Sequence, residues 1–255
     1  MEKRNKKAQL TLFIIIGIVI IVAAALILTF VRRPRITISP SEDPQTYMEE
    51  CSNIALDEIE EKIFESNTYP DKELTNYILY KGQRIPYLCK ASEFYVTCVP
   101  QDPMYVGRIR QIIQDYVEEK AENCFSNLVA DFENKGYNVE EGVGGTEVII
   151  VDGRISANIN KKVTVSRGEE TKVFESFKGD MGSPLYDLAS LAQMIVNYES
   201  DFCEFDNLAW MKEDKEIKID RFRSSDQSKI YTLTHRKSGR QIKFAVKTCV
   251  LPAGL

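Results

Sequence analysis

Residues 10–31 read LTLFIIIGIVIIVAAALILTFV and contain no charged residue. As a helix rising about 1.5 Å per residue, this stretch would extend about 33 Å, which is enough to cross the ~30 Å hydrocarbon core of a bilayer. A buried core helix is the alternative, but such helices rarely have so long an uninterrupted apolar run. The sequence therefore predicts a transmembrane helix over residues 10–31.

Basic residues flank this stretch on both sides. Residues 1–9 include four of them, and Arg32, Arg33 and Arg35 follow the stretch. The flank with more basic residues usually stays in the cytoplasm. Four basic residues before the stretch and three after it therefore favour a cytoplasmic N-terminus by a small margin. A cleaved secretory signal fits poorly, because its apolar region usually spans about 7–15 residues. We therefore expect an uncleaved signal-anchor with the rest of the chain outside the cell.

The start of the apolar stretch carries a second signal. Residues 6–13, KKAQLTLF, resemble the class III signal of archaeal type IV pilin-like proteins. The resemblance implies a prepilin-type peptidase that cuts between Ala8 and Gln9 and leaves the apolar helix at the new N-terminus. Phe13 departs from the pattern, because the family usually has a glutamate there that pairs with a neighbouring subunit. Processing of this kind is the alternative to an uncleaved anchor.

The region beyond the apolar stretch is acidic. Residues 36–255 hold 26 basic and 37 acidic residues, once the seven basic residues and one acid of residues 1–35 are set aside. Surfaces that bind phosphate backbones are basic, so nucleic acid is not expected as a partner.

All six cysteines follow the apolar stretch, and no two have the CxxC or CxxH spacing of a zinc site. The even number predicts three disulfides in an oxidising compartment, with buried free thiols as the alternative. Many pairings are formally allowed. The favoured ones join two cysteines on the buried faces of predicted helices, two that bracket a short segment, and the remaining two: Cys51 and Cys124, Cys89 and Cys98, Cys203 and Cys249.

Residues 45–136 are predicted to hold two helices and a hairpin. Apolar residues recur every three or four positions over residues 45–66 and 104–135, which is the period of an amphipathic helix. Between them, residues 77–80 and 85–88 flank KGQR, a hairpin signal.

The hairpin region is rich in tyrosine, and residues 94–97 are predicted to form a further strand. Tyr77, Tyr80, Tyr87 and Tyr95 are candidates for an aromatic contact face. The alternative is that they pack on one side of the strands as part of the core.

Residues 137–255 are predicted to be rich in strands. Residues 148–159 form a hairpin that turns at Asp152 and Gly153, and residues 163–165 pair with residues 172–177. Three more strands are expected over residues 216–219, 230–233 and 242–246.

One helix is predicted within this part. Ser183 and Pro184 suit its N-cap and first position. Its inner stripe has one polar interruption and consists of Leu185, Leu188, Ala192, Ile195, Glu199 and Phe202.

No catalytic signature emerges from the sequence. His235 is the only histidine, and a triad with Ser224 or Ser225 and Asp226 lacks a nucleophile elbow. Cys249 is the one thiol worth naming as a nucleophile. Glycines at 142–145 precede a strand rather than a helix, so nucleotide binding is not supported. We expect no enzyme activity, no cofactor and no metal.

A second resemblance covers about residues 8–178. The AQLTLFIIIGIVI anchor, two cysteine-bearing helices and the IPY element of the hairpin are similar to an uncharacterised family of membrane-anchored archaeal surface proteins. That family has no known active site, so the resemblance implies a structural or interaction role.

Together these features predict an α+β fold: an N-terminal transmembrane helix followed by a disulfide-stapled extracytoplasmic domain of long helices and antiparallel hairpins. The expected segments are a basic flank, the helix, a linker and two subdomains, at residues 1–9, 10–31, 32–44, 45–136 and 137–255. The expected function is that of a non-enzymatic, membrane-anchored surface or pilin-like protein. Its partners would be the lipid bilayer and other surface proteins or copies of itself. An ectoenzyme (a hydrolase) or an accessory factor of a secretion or pilus machine is the alternative.

Overall fold

The computed structural model describes Ile16, residues 39–67, Pro70 and residues 75–251. The predicted transmembrane stretch lies outside the described residues apart from Ile16, as do the basic flank and the processing site at Ala8 and Gln9. Among the residues that are described, no helix is long and apolar enough to cross a membrane. The predicted fold class is corrected accordingly. The described residues form an α+β domain with disulfides, and the membrane-spanning helix of the prediction is not among them.

Four helices are described in this domain. The two longest match the periodic stretches of the sequence to within a residue or two. The first begins after Asp43, whose carboxylate accepts the Thr46 N–H, and it ends at Asn67, which adopts a left-handed conformation. The helices are α1 (Pro44–Ser66), α2 (Tyr105–Asn134), α3 (Leu185–Phe202) and α4 (Asn207–Glu213).

Twelve strands accompany the helices in the described part of the chain. Tight turns join several of them, including the predicted turn at Asp152 and Gly153, where Gly153 has a φ of 68°. The strands are β1 (Tyr77–Tyr80), β2 (Gln83–Lys90), β3 (Val99–Pro100), β4 (Asn138–Glu141), β5 (Gly145–Val151), β6 (Arg154–Asn160), β7 (Val163–Arg167), β8 (Glu170–Phe174), β9 (Phe177–Gly182), β10 (Ile217–Arg223), β11 (Lys229–His235) and β12 (Gln241–Lys247).

The largest sheet combines strands from the two ends of the domain. Its order is β1-β2-β12-β11-β10, with β3 also paired to β2. All neighbours are antiparallel except β2 and β12, which are parallel. Strands from both predicted subdomains, residues 45–136 and 137–255, therefore share one sheet.

Two smaller antiparallel sheets follow the orders β5-β6-β9 and β4-β7-β8. The predicted pairing of residues 163–165 with the strand over residues 172–177 is confirmed for residues 172–174, but the end of that strand is wrong, because the chain leaves β8 after Phe174 and enters the other sheet at Phe177. Phe177 begins β9 and is fully buried, with its ring 5.3 Å from that of Phe125 on α2. Burying Phe177 against the helix separates it from β8.

One apolar core joins α1, α2 and α3 to the largest sheet and to β5 and β6. The inner stripe of α3 departs from prediction at its end, where Phe202 is 65% exposed and Phe205 is buried instead. Cys203, between them, has a φ of 63°, which ends the helix and turns the chain so that Phe205 reaches the core.

Three disulfides are present, and none of the six cysteines is free. They join α1 to α2, close a short loop after β2, and tie the end of α3 to the segment after β12. They are the pairs that the sequence favoured: Cys51–Cys124, Cys89–Cys98 and Cys203–Cys249, with Cα–Cα distances of 6.6, 5.4 and 5.8 Å.

Candidate functional site

The Cys89–Cys98 disulfide closes a loop, residues 90–97, which we call the clasped loop. Its ends are 5.4 Å apart between Cα atoms, although they are separated by 9 positions in sequence. An extended chain of that length would span about 30 Å. The strand predicted over residues 94–97 is therefore wrong, because the disulfide forces this segment to reverse direction through turns and bends.

Backbone hydrogen bonds fix the clasped loop to the segment after β12. The N–H of Tyr95 donates to the carbonyl of Val250 at 2.9 Å, and the N–H of Cys249 donates to the carbonyl of Val96 at 2.8 Å. Tyr95 has a φ of 62°, a conformation that bulky residues rarely adopt. The Cys203–Cys249 disulfide ties the same segment to α3. The loop thus has a fixed shape without regular secondary structure.

Large apolar side chains cover the outside of the clasped loop and the residue that follows its disulfide. Phe94 is 53% exposed, Tyr95 60%, Val96 39% and Val99 66%. Single exposed apolar residues are common on protein surfaces, but such clustering marks contact surfaces. This cluster could contribute apolar area to a protein interface.

A cavity of about 650 Å³ lies beside Phe94. Its lysines already have polar partners, since Lys90 Nζ donates to Asn76 at 2.7 Å and Lys247 Nζ to Asp226 at 3.2 Å. The lining mixes apolar and charged groups and consists of Lys90, Ala91, Ser92, Glu93, Phe94, Lys247 and Val250.

The four tyrosines of the predicted contact face do not share one surface. Tyr77 and Tyr80 are three positions apart on β1 and so point to opposite faces. Tyr87 is 7% exposed and its hydroxyl contacts Ser228 at 2.8 Å. Only Tyr95 belongs to the exposed cluster.

Sequence reasoning missed the neighbours of Tyr95. The predicted strand included Phe94 and Val96, and Val99 lay outside it. The close spacing of Cys89 and Cys98 was the signal that could have found them, because a short disulfide loop must present some of its side chains outward.

The groups needed for an ectoenzyme lie apart in the described part of the chain. Asp226 precedes β11 and His235 ends it, so the strand alone separates them by about 20 Å. Nδ1 of His235 is 2.8 Å from the Ser238 hydroxyl in the next turn. Cys249 is in a disulfide and cannot act as a thiolate nucleophile. No group of three or more His, Cys, Asp or Glu suited to a metal ion occurs among the described residues.

No protein-family model matches the chain, and neither a curated protein nor a solved structure matches it. The resemblances to pilin-like and archaeal surface proteins therefore stay predictions. Any assignment of function depends on the clasped loop and the disulfides.

Proposed function

We propose that the protein works outside the cytoplasm as a non-enzymatic interaction protein, and that the clasped loop binds its partner. The observation that carries this proposal is the exposure of Phe94 and Tyr95 on a loop closed by the Cys89–Cys98 disulfide. The three disulfides support the location, because such bonds persist in oxidising compartments and are rare in the cytosol of mesophiles.

The shape of the loop suits binding for an energetic reason. Ordering a flexible segment at an interface costs about 0.5–1.5 kcal/mol for each immobilised side chain, besides the entropy of the backbone. The disulfide and the hydrogen bonds from Tyr95 and Cys249 hold the backbone in place before binding. Phenylalanine and tyrosine then supply large contact areas with only two side-chain torsions each.

The partner that fits this surface is another protein. A cluster of exposed Phe94, Tyr95, Val96 and Val99 can form the apolar centre of an interface, and Lys90 and Glu93 can contribute to a polar rim. The acidic charge of residues 36–255 disfavours nucleic acid. A different surface protein or a copy of the same chain both meet these requirements, and a pilin-like role would use a copy.

Photo-crosslinking in cells tests the proposal. A benzoyl-phenylalanine in place of Phe94 should give a discrete crosslinked protein that mass spectrometry identifies. The matched control is the same residue in place of Leu79, which is 68% exposed on β1 and should give no such product. Equal labelling at both positions, or none at Phe94, would contradict binding through the clasped loop.

Thiol labelling tests the location separately. Unreduced protein, denatured in the presence of an alkylating reagent, should take up no label, because all six cysteines are paired. Labelling at six cysteines would place the domain in the cytoplasm and would reopen the enzyme alternative.

A further inference from the structure

Charged side chains meet at the C-terminal end of α3. Glu199 is 0% exposed and Lys229, the first residue of β11, is 3% exposed. Lys229 Nζ lies 2.7 Å from Oε2 of Glu199 and 2.7 Å from Oε2 of Glu204. One amine therefore contacts two carboxylates, and one of these carboxylates has no access to water.

The two oxygens of the Glu199 carboxylate have different partners. Oε2 faces the amine of Lys229, whereas Oε1 accepts the N–H of Phe205 at 3.1 Å and the hydroxyl of Tyr231. Two hydrogen-bond donors on one oxygen stabilise the negative charge that develops on it when an amine beside the other oxygen attacks the carboxyl carbon.

Glu204 connects this buried pair to the surface. Its carboxylate is 51% exposed and also pairs with Arg221. Burial raises the pKa of Glu204, but the hydrogen bond from Lys229 and the charges of Lys229 and Arg221 outweigh that effect and hold the pKa below its ordinary value. Glu204 is thus a carboxylate at rest that can accept a proton from the amine it contacts.

We propose that Lys229 and Glu199 condense into an intramolecular isopeptide bond in the folded protein. The ammonium of Lys229 gives one proton to Oε2 of Glu199, and the free amine attacks the carboxyl carbon. The tetrahedral intermediate carries its negative charge on Oε1, where Phe205 and Tyr231 donate. Glu204 takes a proton from the nitrogen and passes it to the Oε2 hydroxyl, which leaves as water.

The step balances without a co-reactant. A C–N bond forms, the bond from the carboxyl carbon to Oε2 breaks, one water leaves, and nothing is oxidised or reduced. Holding two groups in contact can be equivalent to an effective concentration of about 10⁵–10⁸ M in favourable cases. The amide product is neutral, so the fold no longer carries the desolvation cost of burying the charges of Glu199 and Lys229. Glu204 keeps Arg221 as its partner.

A second cluster in the same chain provides a matched control. Lys161 Nζ lies 2.8 Å from Glu122 and 3.1 Å from Glu141, so it too is an amine between two carboxylates. These carboxylates are 61% and 42% exposed. Water solvates them, and the proposal predicts no condensation at Lys161.

The test is the mass of the full chain after reduction and denaturation. Wild-type protein should be lighter than its sequence by one water, and Lys229→Arg and Glu204→Gln, purified from the same cells, should have full mass. Lys161→Arg should keep the loss of water. Near-UV circular dichroism of Glu204→Gln shows that it is folded, so that its full mass reports the missing proton acceptor.

Peptide mapping locates the bond. Trypsin cannot cut at an acylated lysine, so residues 224–236 should remain intact and should be joined to residues 179–212, with fragmentation placing the link on Glu199. Full mass in the wild type would overturn the proposal. A loss of water that persists in Lys229→Arg, or a link to Glu204, would overturn it as well.

Discussion

Lys161 and Lys229 each lie between two glutamates at nearly the same distances, but their surroundings differ. The carboxylates around Lys161 are 61% and 42% exposed, while Glu199 beside Lys229 is fully buried. At a surface, water screens an ion pair, and removing one partner of the pair costs little stability. In the interior, water does not solvate the charges, so Glu199 depends on Lys229 and on the hydrogen bonds from Phe205 and Tyr231. The comparison predicts that burial, rather than distance, determines how much such a cluster contributes to stability.

The largest expected effect is that of removing the buried cation. Lys229→Met should lower the free energy of unfolding by about 3–5 kcal/mol or more, because Glu199 is left as an unpaired buried charge and can no longer be joined to residue 229. Lys161→Met should lower it by about 1 kcal/mol or less. Denaturation with urea at neutral pH measures both. Similar losses for the two variants would show that burial does not separate the clusters.

Removing the buried charge together with the cation should restore much of that loss. In the double variant Glu199→Gln with Lys229→Met, no buried charge remains, and the glutamine oxygen still accepts from Phe205 and Tyr231. We expect the double variant to be about 2 kcal/mol more stable than Lys229→Met alone, a comparison in which neither variant can form the isopeptide bond. If instead the loss in the double variant equalled the sum of the losses in Lys229→Met and Glu199→Gln, the two charges would not be coupled.

Part of the buried cluster was visible in the sequence. Glu199 stands as the one polar residue in the predicted inner stripe of α3, and a carboxylate in such a stripe requires a partner. The partner could not be named, because Lys229 lies 30 positions further along and reaches Glu199 only through the packing of β11 on α3. The turn at Cys203 that places Glu204 and Phe205 beside Glu199 is local, but residue 203 is not the glycine or asparagine that usually marks such a left-handed helix end.

The fold also has parts that a local sequence pattern predicts and parts that it does not. Helices α1 and α2 and the hairpins β5–β6 and β11–β12 follow from apolar periods and turn residues, which are local in sequence. The parallel pairing of β2 with β12 joins residues more than 150 positions apart, such as Tyr87 and Ala245, and no local pattern encodes it. The exposure of Phe94 depends on a disulfide rather than on strand alternation.

Acid should remove the contribution that Glu204 makes to stability through its ion pairs. Because the folded state lowers the pKa of Glu204, its contribution is present above its ordinary pKa of about 4.3 and is lost as the pH falls through the folded value. In a Lys229→Arg background, where no isopeptide bond can form, Glu204→Gln should therefore lower the free energy of unfolding by about 1 kcal/mol or less at pH 7, and this difference should be lost as the pH falls through the folded pKa of Glu204. A difference that persists in acid would mean that the carboxylate charge is not its source.

Alkali should have the smallest effect, and it should act on Lys161 and its two carboxylate partners, Glu122 and Glu141. Burial lowers the pKa of Lys161, but hydrogen bonds and charges from Glu122 and Glu141 outweigh it, so the pKa lies above its ordinary value of about 10.4. The contribution of Lys161 is then complete below that ordinary value and is lost as the pH rises through the folded value. The stability difference between wild type and Lys161→Met should be present at pH 7, shrink in high salt, and disappear as the pH rises through the folded pKa of Lys161. A difference that is unchanged by both salt and alkali would mean that Lys161 stabilises the fold by packing its methylene chain on the ring of Phe125, 4.6 Å from Nζ, rather than by its charge.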